Sequence, residues 1–160
     1  MMTAVWTAGL VGCGALGGKP SARVVDAALV EQTDEGSRIE FVVELDNPRA
    51  ENYPLASVWY AIDVEDAGTF RFTEYPIEAL PGRGSSVGSA DGEAMPGRQR
   101  LRLAGALPAT GLAGRRWTVT GAVAYKPGGE IREILTDSGV PLPTAPFRGE
   151  GTLEAVNGER

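Results

Sequence analysis

Ser37-Arg38-Ile39-Glu40-Phe41-Val42-Val43-Glu44-Leu45-Asp46 alternates apolar and polar side chains over ten residues. A period of two sends Ile39, Phe41, Val43 and Leu45 to one face of an extended chain, and Arg38, Glu40 and Glu44 to the other. A helix of the same sequence would spread those apolar groups around its circumference and bury none of them together. The stretch therefore predicts a half-buried β-strand.

The same alternation recurs along the chain. Ala56 to Glu65 sets Val58, Tyr60, Ile62 and Val64 inward and turns Trp59, Ala61 and Asp63 away. Gln99 to Ala104 alternates Leu101 and Leu103 with Arg100 and Arg102. Arg116 to Lys126 alternates Trp117, Val119, Gly121, Val123 and Tyr125 with Thr118, Thr120, Ala122 and Ala124. Weaker strand patterns run over Arg23 to Val30, Thr69 to Tyr75, Ile131 to Thr136 and Phe147 to Val156. Turn formers separate them: Asp34-Glu35-Gly36, Asn47-Pro48, Ala67-Gly68, Pro108 to Gly111 and Pro127-Gly128-Gly129. Only Thr33 to Gly36 carries the signature of a helix cap, and no amphipathic run follows it. Pro81 to Gly97 is low in complexity and reads as a long, mobile loop.

Seven to eight short strands, each with one apolar face, predict an all-β fold. Two antiparallel sheets packed as an immunoglobulin-like or fibronectin type III-like β-sandwich satisfy the pattern. At 160 residues the chain has room for one such core. Its single cysteine closes no internal disulfide, so cohesion rests on apolar burial, with Tyr60, Trp117 and Tyr125 as the expected anchors.

Composition narrows the chemistry. With no histidine, the commonest general base and metal ligand is missing, and zinc sites built on His or Cys are excluded. A net charge of -6, with basic residues scattered among acids, argues against a nucleic-acid partner. No cofactor is expected.

Residues 1–18 contain no charged side chain and an apolar run from Ala4 to Val11, too short to span a bilayer. The first thirteen residues read as a targeting segment. Within it, Leu10-Val11-Gly12-Cys13 resembles the lipobox of bacterial lipoproteins, in which a small residue precedes a cysteine that is acylated. That resemblance implies lipidation of Cys13, a palmitate-type anchor, and a cell-envelope location. Gly14 after the cysteine favours the outer membrane or periplasmic face. The expected organisation is a signal segment over 1–12, a lipid-anchored tether over 13–21, a sandwich over 22–156 and a disordered tail over 157–160. The competing reading of Cys13 is a buried free thiol.

Five motif-like stretches lack the context their chemistry needs. Gly12 to Gly17 spells G-x-G-x-x-G, yet Gly18 and Pro20 prevent the helix that a dinucleotide site requires. Gly18-Lys19 resembles the end of a P-loop, but Pro20 stands where Ser or Thr must hold magnesium. Gly84-Ser85-Ser86-Val87-Gly88 matches G-x-S-x-G without any histidine to serve Ser86. The acidic clusters Asp63/Glu65/Asp66 and Asp91/Glu93 lack the ligand-dense loop of a calcium site and read as solvated charge.

The order of four segments resembles the type 2 late embryogenesis abundant family, also called water-stress-and-hypersensitive-response (WHy) domains. These are Ile39 to Leu45 ending in Asp46-Asn47-Pro48, Tyr53-Pro54-Leu55 with Val58-Trp59-Tyr60, Trp117 to Val123, and Phe147-Arg148-Gly149-Glu150-Gly151-Thr152-Leu153. The resemblance implies an immunoglobulin-like fold without catalytic residues, linked to desiccation and stress tolerance. It marks Asn47, Pro48, Tyr60, Trp117, Gly121, Phe147, Gly149 and Gly151 as structural motif residues. The expected function is a non-enzymatic, membrane-tethered protective or protein-interaction module, with envelope or client proteins as partners. The last strand, interrupted by Glu150 and Glu154, is the expected sheet edge. The alternative is a ligand-binding or carboxylate-dependent hydrolytic domain of the envelope.

Overall fold

A computed structural model describes residues 18–84, 96–128 and 138–154, and every regular element among them is a strand. In chain order these are β1 (Ser21–Gln32), β2 (Ser37–Asp46), β3 (Tyr53–Val64), β4 (Gly68–Glu74), β5 (Ala79–Leu80), β6 (Arg98–Leu107), β7 (Arg116–Tyr125) and β8 (Thr144–Thr152). One antiparallel sheet has the order β1-β2-β6. The other has the order β4-β3-β7-β8, with β5 pairing the start of β3. The chain changes sheet between β2 and β3, before β6, and again after it. Three strands thus face four with Greek-key connections, an arrangement of the fibronectin type III kind.

The alternation quoted above explains the core. Ile39, Phe41, Val43 and Leu45 of β2 are all buried, as are Val58, Tyr60, Ile62 and Val64 of β3. Leu101 and Leu103 of β6 and Trp117, Val119, Val123 and Tyr125 of β7 complete the facing surfaces. Phe41 meets Trp117 edge-on across the sheets, with ring centroids 5.2 Å apart and planes at 61°. Such a contact adds about 1 kcal/mol to the burial of the two rings.

Phase changes in the alternation mark β-bulges. In β3 the inward set runs Tyr53, Leu55 and then Val58, and the register with β7 slips between Leu55 and Ser57. In β1 it runs Ala22, Val24 and then Ala27, Leu29, with a slip between Val24 and Asp26 that leaves Val25 exposed. One extra residue restores each strand's apolar face to the core.

Several expectations are corrected in detail. β3 begins at Tyr53, three residues before the expected start, because the bulge breaks the alternation there. β8 begins at Thr144 and ends at Thr152, and the short β5 was not anticipated. Thr33 to Gly36 closes the β1–β2 hairpin instead of capping a helix. There the Thr33 N–H donates to Gly36 O at 2.8 Å, and the Glu35 N–H donates to Thr33 Oγ1 at 3.2 Å. Ala122 and Ala124 lie on the outer side of β7 yet are buried. Ala122 sits in register between Trp59 and Pro146, whose larger side chains shield its methyl group. The expected strand Ile131 to Thr136 lies outside the described residues, as does most of the loop from Pro81 to Gly97.

Candidate functional site

The motif residues converge on backbone approaches and turns. Asn47 is fully buried: its Nδ2 donates to Glu51 O at 2.7 Å, and its Oδ1 accepts the Arg49 N–H at 3.0 Å. Its own N–H donates to Gly97 O at 2.7 Å. One asparagine therefore shapes the β2–β3 turn and ties it to the start of β6. Pro48 beside it faces Gly18, where an added Cβ would stand 3.0 Å from the proline ring. Gly151 lies against the Trp117 indole and Gly149 against Val24 of β1, with a Gly149 Cβ only 2.8 Å from the valine.

Tyr60 reaches across the gap between the sheets. Its hydroxyl lies 2.6 Å from Glu74 Oε1 and 2.9 Å from Ala104 O, and its single proton serves one acceptor at a time. Burial, first, and the Glu74 carboxylate, second, push its pKa well above the ordinary tyrosine value. The pair bridges β4 to β6, the two strands that flank this side of the sandwich.

The other side is closed by β8 and β1, which meet at Gly149 and Val24. β8 is a terminal strand of its sheet, as expected, but Glu154 lies beyond the end of the strand. On the outer face of the smaller sheet, Glu44 lies between two arginines. Arg23 Nη2 donates to it at 2.6 Å and Arg100 Nε at 3.5 Å, from the strands on either side. The Arg23 hydrogen bond, outweighing the opposing effect of burial, holds the Glu44 carboxyl below its ordinary pKa.

Of the acidic residues expected to be solvated, Asp63, Glu65 and Asp66 are exposed and also have surface partners. Asp63 accepts from the Thr69 hydroxyl at 2.9 Å, Glu65 pairs with Arg116 at 3.3 Å, and Asp66 pairs with Arg115. Hydrogen bonds from Arg116 lower the Glu65 pKa. Among the described residues no group of three or more His, Cys, Asp or Glu is placed to hold a metal ion. Cys13, Ser86, Asp91 and Glu93 lie outside the described residues. No described helix is long and apolar enough to cross a membrane.

A cavity of about 520 Å³ opens at the end of the sandwich where Gly18 leads into β1. Its walls include Pro20, Tyr53, Tyr125, Pro127, Pro141 and Pro143, and Lys19, Arg49 and Glu51 add charge. Tyr53 and Tyr125 stack with centroids 5.5 Å apart and planes at 16°. Burial raises the Tyr125 pKa, Tyr53 adds to the effect, and Arg49 opposes it. Arg49 Nε also donates to Gly18 O at 3.2 Å, fixing the entry of the chain. Sequence reasoning named Tyr125 as a core anchor but missed this site, because its walls come from four separated segments. The available signal was the position of the chain's only two lysines: Lys19 lines the cavity, and Lys126 falls between the lining residues Tyr125 and Pro127. A second hollow of about 380 Å³ at the opposite end is bordered by Glu31, Glu35, Ser37 and Arg38.

No family model matches the chain, and no curated protein matches it by sequence. Among solved structures it is similar to the solution structure of a protein assigned as late embryogenesis abundant (LEA). The likeness covers 86% of this chain and 73% of that one, with a TM-score of 0.57 and 14% sequence identity. At that identity the likeness shows a shared fold.

Proposed function

We propose that the chain is a non-enzymatic domain held at a bacterial envelope membrane by a lipid on Cys13, protecting other proteins under desiccation or related stress. The observation that carries this reading is the sandwich it shares with the LEA protein, combined with the motif residues that resemble the type 2 family. Those residues, from Asn47 to Gly151, make turns and close backbone contacts, as expected of a scaffold. The carboxylates Asp63, Glu65 and Asp66 are engaged by threonine and arginines, which supports structure over catalysis. Fold alone does not fix function, so the reading rests on surface contact as the mode of action. Terminal strands such as β8 and β6 offer main-chain groups to an extended segment of a client.

The tether is tested by metabolic labelling with a fatty-acid analogue and membrane fractionation. Label and membrane association should both be lost in Cys13→Ser, and equal labelling of the two chains would remove the anchor from the account. Turnover of an ester, glycan or peptide that is abolished by Ser86→Ala or Asp63→Asn would favour the hydrolytic alternative instead.

A further inference from the structure

We propose that the cavity at the Gly18 end of the sandwich binds the phosphate headgroup of an anionic phospholipid, with Lys19 and Arg49 meeting the phosphate and the Tyr53–Tyr125 pair packing against the glycerol. The inference rests on the reading of Cys13 as lipid-bearing. Three observations lead to it.

The first is charge placement. The chain carries a net charge of -6, yet Lys19 and Arg49 line this cavity, Lys126 falls between the lining residues Tyr125 and Pro127, and Glu51 is the one acid in its wall among the described residues. The opposite end carries Asp34 and Glu35 in the β1–β2 turn and Asp63, Glu65 and Asp66 around the β3–β4 turn, against Arg38, Arg115 and Arg116. Among the described residues the charge is thus polarised along the strands, which favours approach of this end to an anionic surface.

The second is shape. A volume of about 520 Å³ falls within the range of small-molecule sites. Tyrosine and proline walls with cations among them suit a ligand with a short carbon body and a charged phosphate.

The third is reach. Gly18 is five residue steps from Cys13, which at full extension span at most about 18 Å. A lipid on Cys13 therefore keeps this end of the sandwich close to the headgroup layer, whereas the acidic end lies a strand length farther away.

The test uses the full chain carrying Cys13→Ser, so that no covalent lipid contributes and the outcome stands apart from the labelling experiment. Binding is measured by co-sedimentation with phosphatidylcholine vesicles, with and without phosphatidylglycerol. The chain should bind the phosphatidylglycerol vesicles in excess of the neutral ones, and added salt should weaken that excess. Each cation removed should cost about fivefold, so Lys19→Ala with Arg49→Ala should lower the excess about 30-fold. Arg115→Ala with Arg116→Ala, at the far end, should leave it unchanged. Because Arg49 also holds Gly18, Lys19→Ala with Lys126→Ala provides the same test if Arg49→Ala lowers the melting temperature. Equal binding to both vesicle types, or equal loss from the Arg115/Arg116 pair, would overturn the proposal. Tight binding of free glycerol phosphate without any preference for phosphatidylglycerol vesicles would overturn the lipid assignment and leave a site for a soluble phosphate.

Discussion

Phe147 of β8 lies over Gly121 of β7, its register partner, so closely that a Cβ on the glycine would stand 2.6 Å from the ring's Cζ. The same Cβ would come within 2.5 Å of the Trp59 carbonyl oxygen on the neighbouring strand and 2.8 Å of Tyr60 Cβ. The glycine and the aromatic ring are thus one packing unit between the sheets.

Gly121→Ala should therefore destabilise the fold by about 1 to 3 kcal/mol through overpacking, since one of the obstructing atoms is backbone and cannot rotate away. Gly151→Ala has the Trp117 indole as its nearest obstacle, at 3.1 Å, and should cost less. Urea unfolding of both variants checks the order. Equal loss in the two would show that β8 shifts freely over β7.

Tyr125 is buried and stacked on Tyr53, whereas Thr120, on the same strand, faces solvent. Tyr125→Ala should cost about 3 to 5 kcal/mol and lower the melting temperature by many degrees. Thr120→Ala should change it little. A thermal melt of each variant reads the register of β7 directly, and equal costs would contradict it.

Removal of the Tyr60 hydroxyl by Tyr60→Phe leaves the aromatic core intact and takes away the bridge to Glu74 and Ala104. The expected loss is about 1.5 to 3 kcal/mol, the range for a hydrogen bond to a charged group. Amide exchange at Ala104 should quicken in the same variant. Unchanged stability and exchange would mean that β4 and β6 are held together by apolar contact alone.

Glu44 gives stability a pH dependence. Arginine hydrogen bonds depress its folded pKa, so its contribution is fully present above the unfolded carboxylate value, near 4.3. That contribution is lost as the pH falls through the lower, folded value. Glu65 acts in the same direction, but its exposure lets salt screen the effect. Glu44→Gln should flatten the acid limb of the stability curve while lowering stability at neutral pH. An acid limb as steep as that of the wild type would assign the dependence to other carboxylates.

Much of the fold was legible because a strand with one wet face writes its period into the sequence. β2 was bounded to the residue, and the inward faces of β3 and β7 were assigned correctly. The start of β3 was hidden because Pro54 and the bulge before Ser57 break the alternation. β5 has two residues, too few to show any period. The burial of Ala122 depends on Trp59 and Pro146 in neighbouring strands, information that no single segment holds. The motif residues were legible as types, but what each one touches was not. Gly121, Gly149 and Gly151 matter for three different neighbours, namely Phe147, Val24 and Trp117. The tyrosine cavity was the least legible feature, since it exists only where the ends of several strands meet.

The central claim, protection by surface contact without catalysis, is tested most directly by drying and rehydrating a labile client enzyme with the purified Cys13→Ser chain. The account predicts that the client keeps more activity, and scatters less light on rehydration, than with an equal mass of an unrelated globular protein. It also predicts that the protection survives Ser86→Ala and Asp63→Asn. Protection no greater than that of the control protein, or protection lost in either variant, would contradict it.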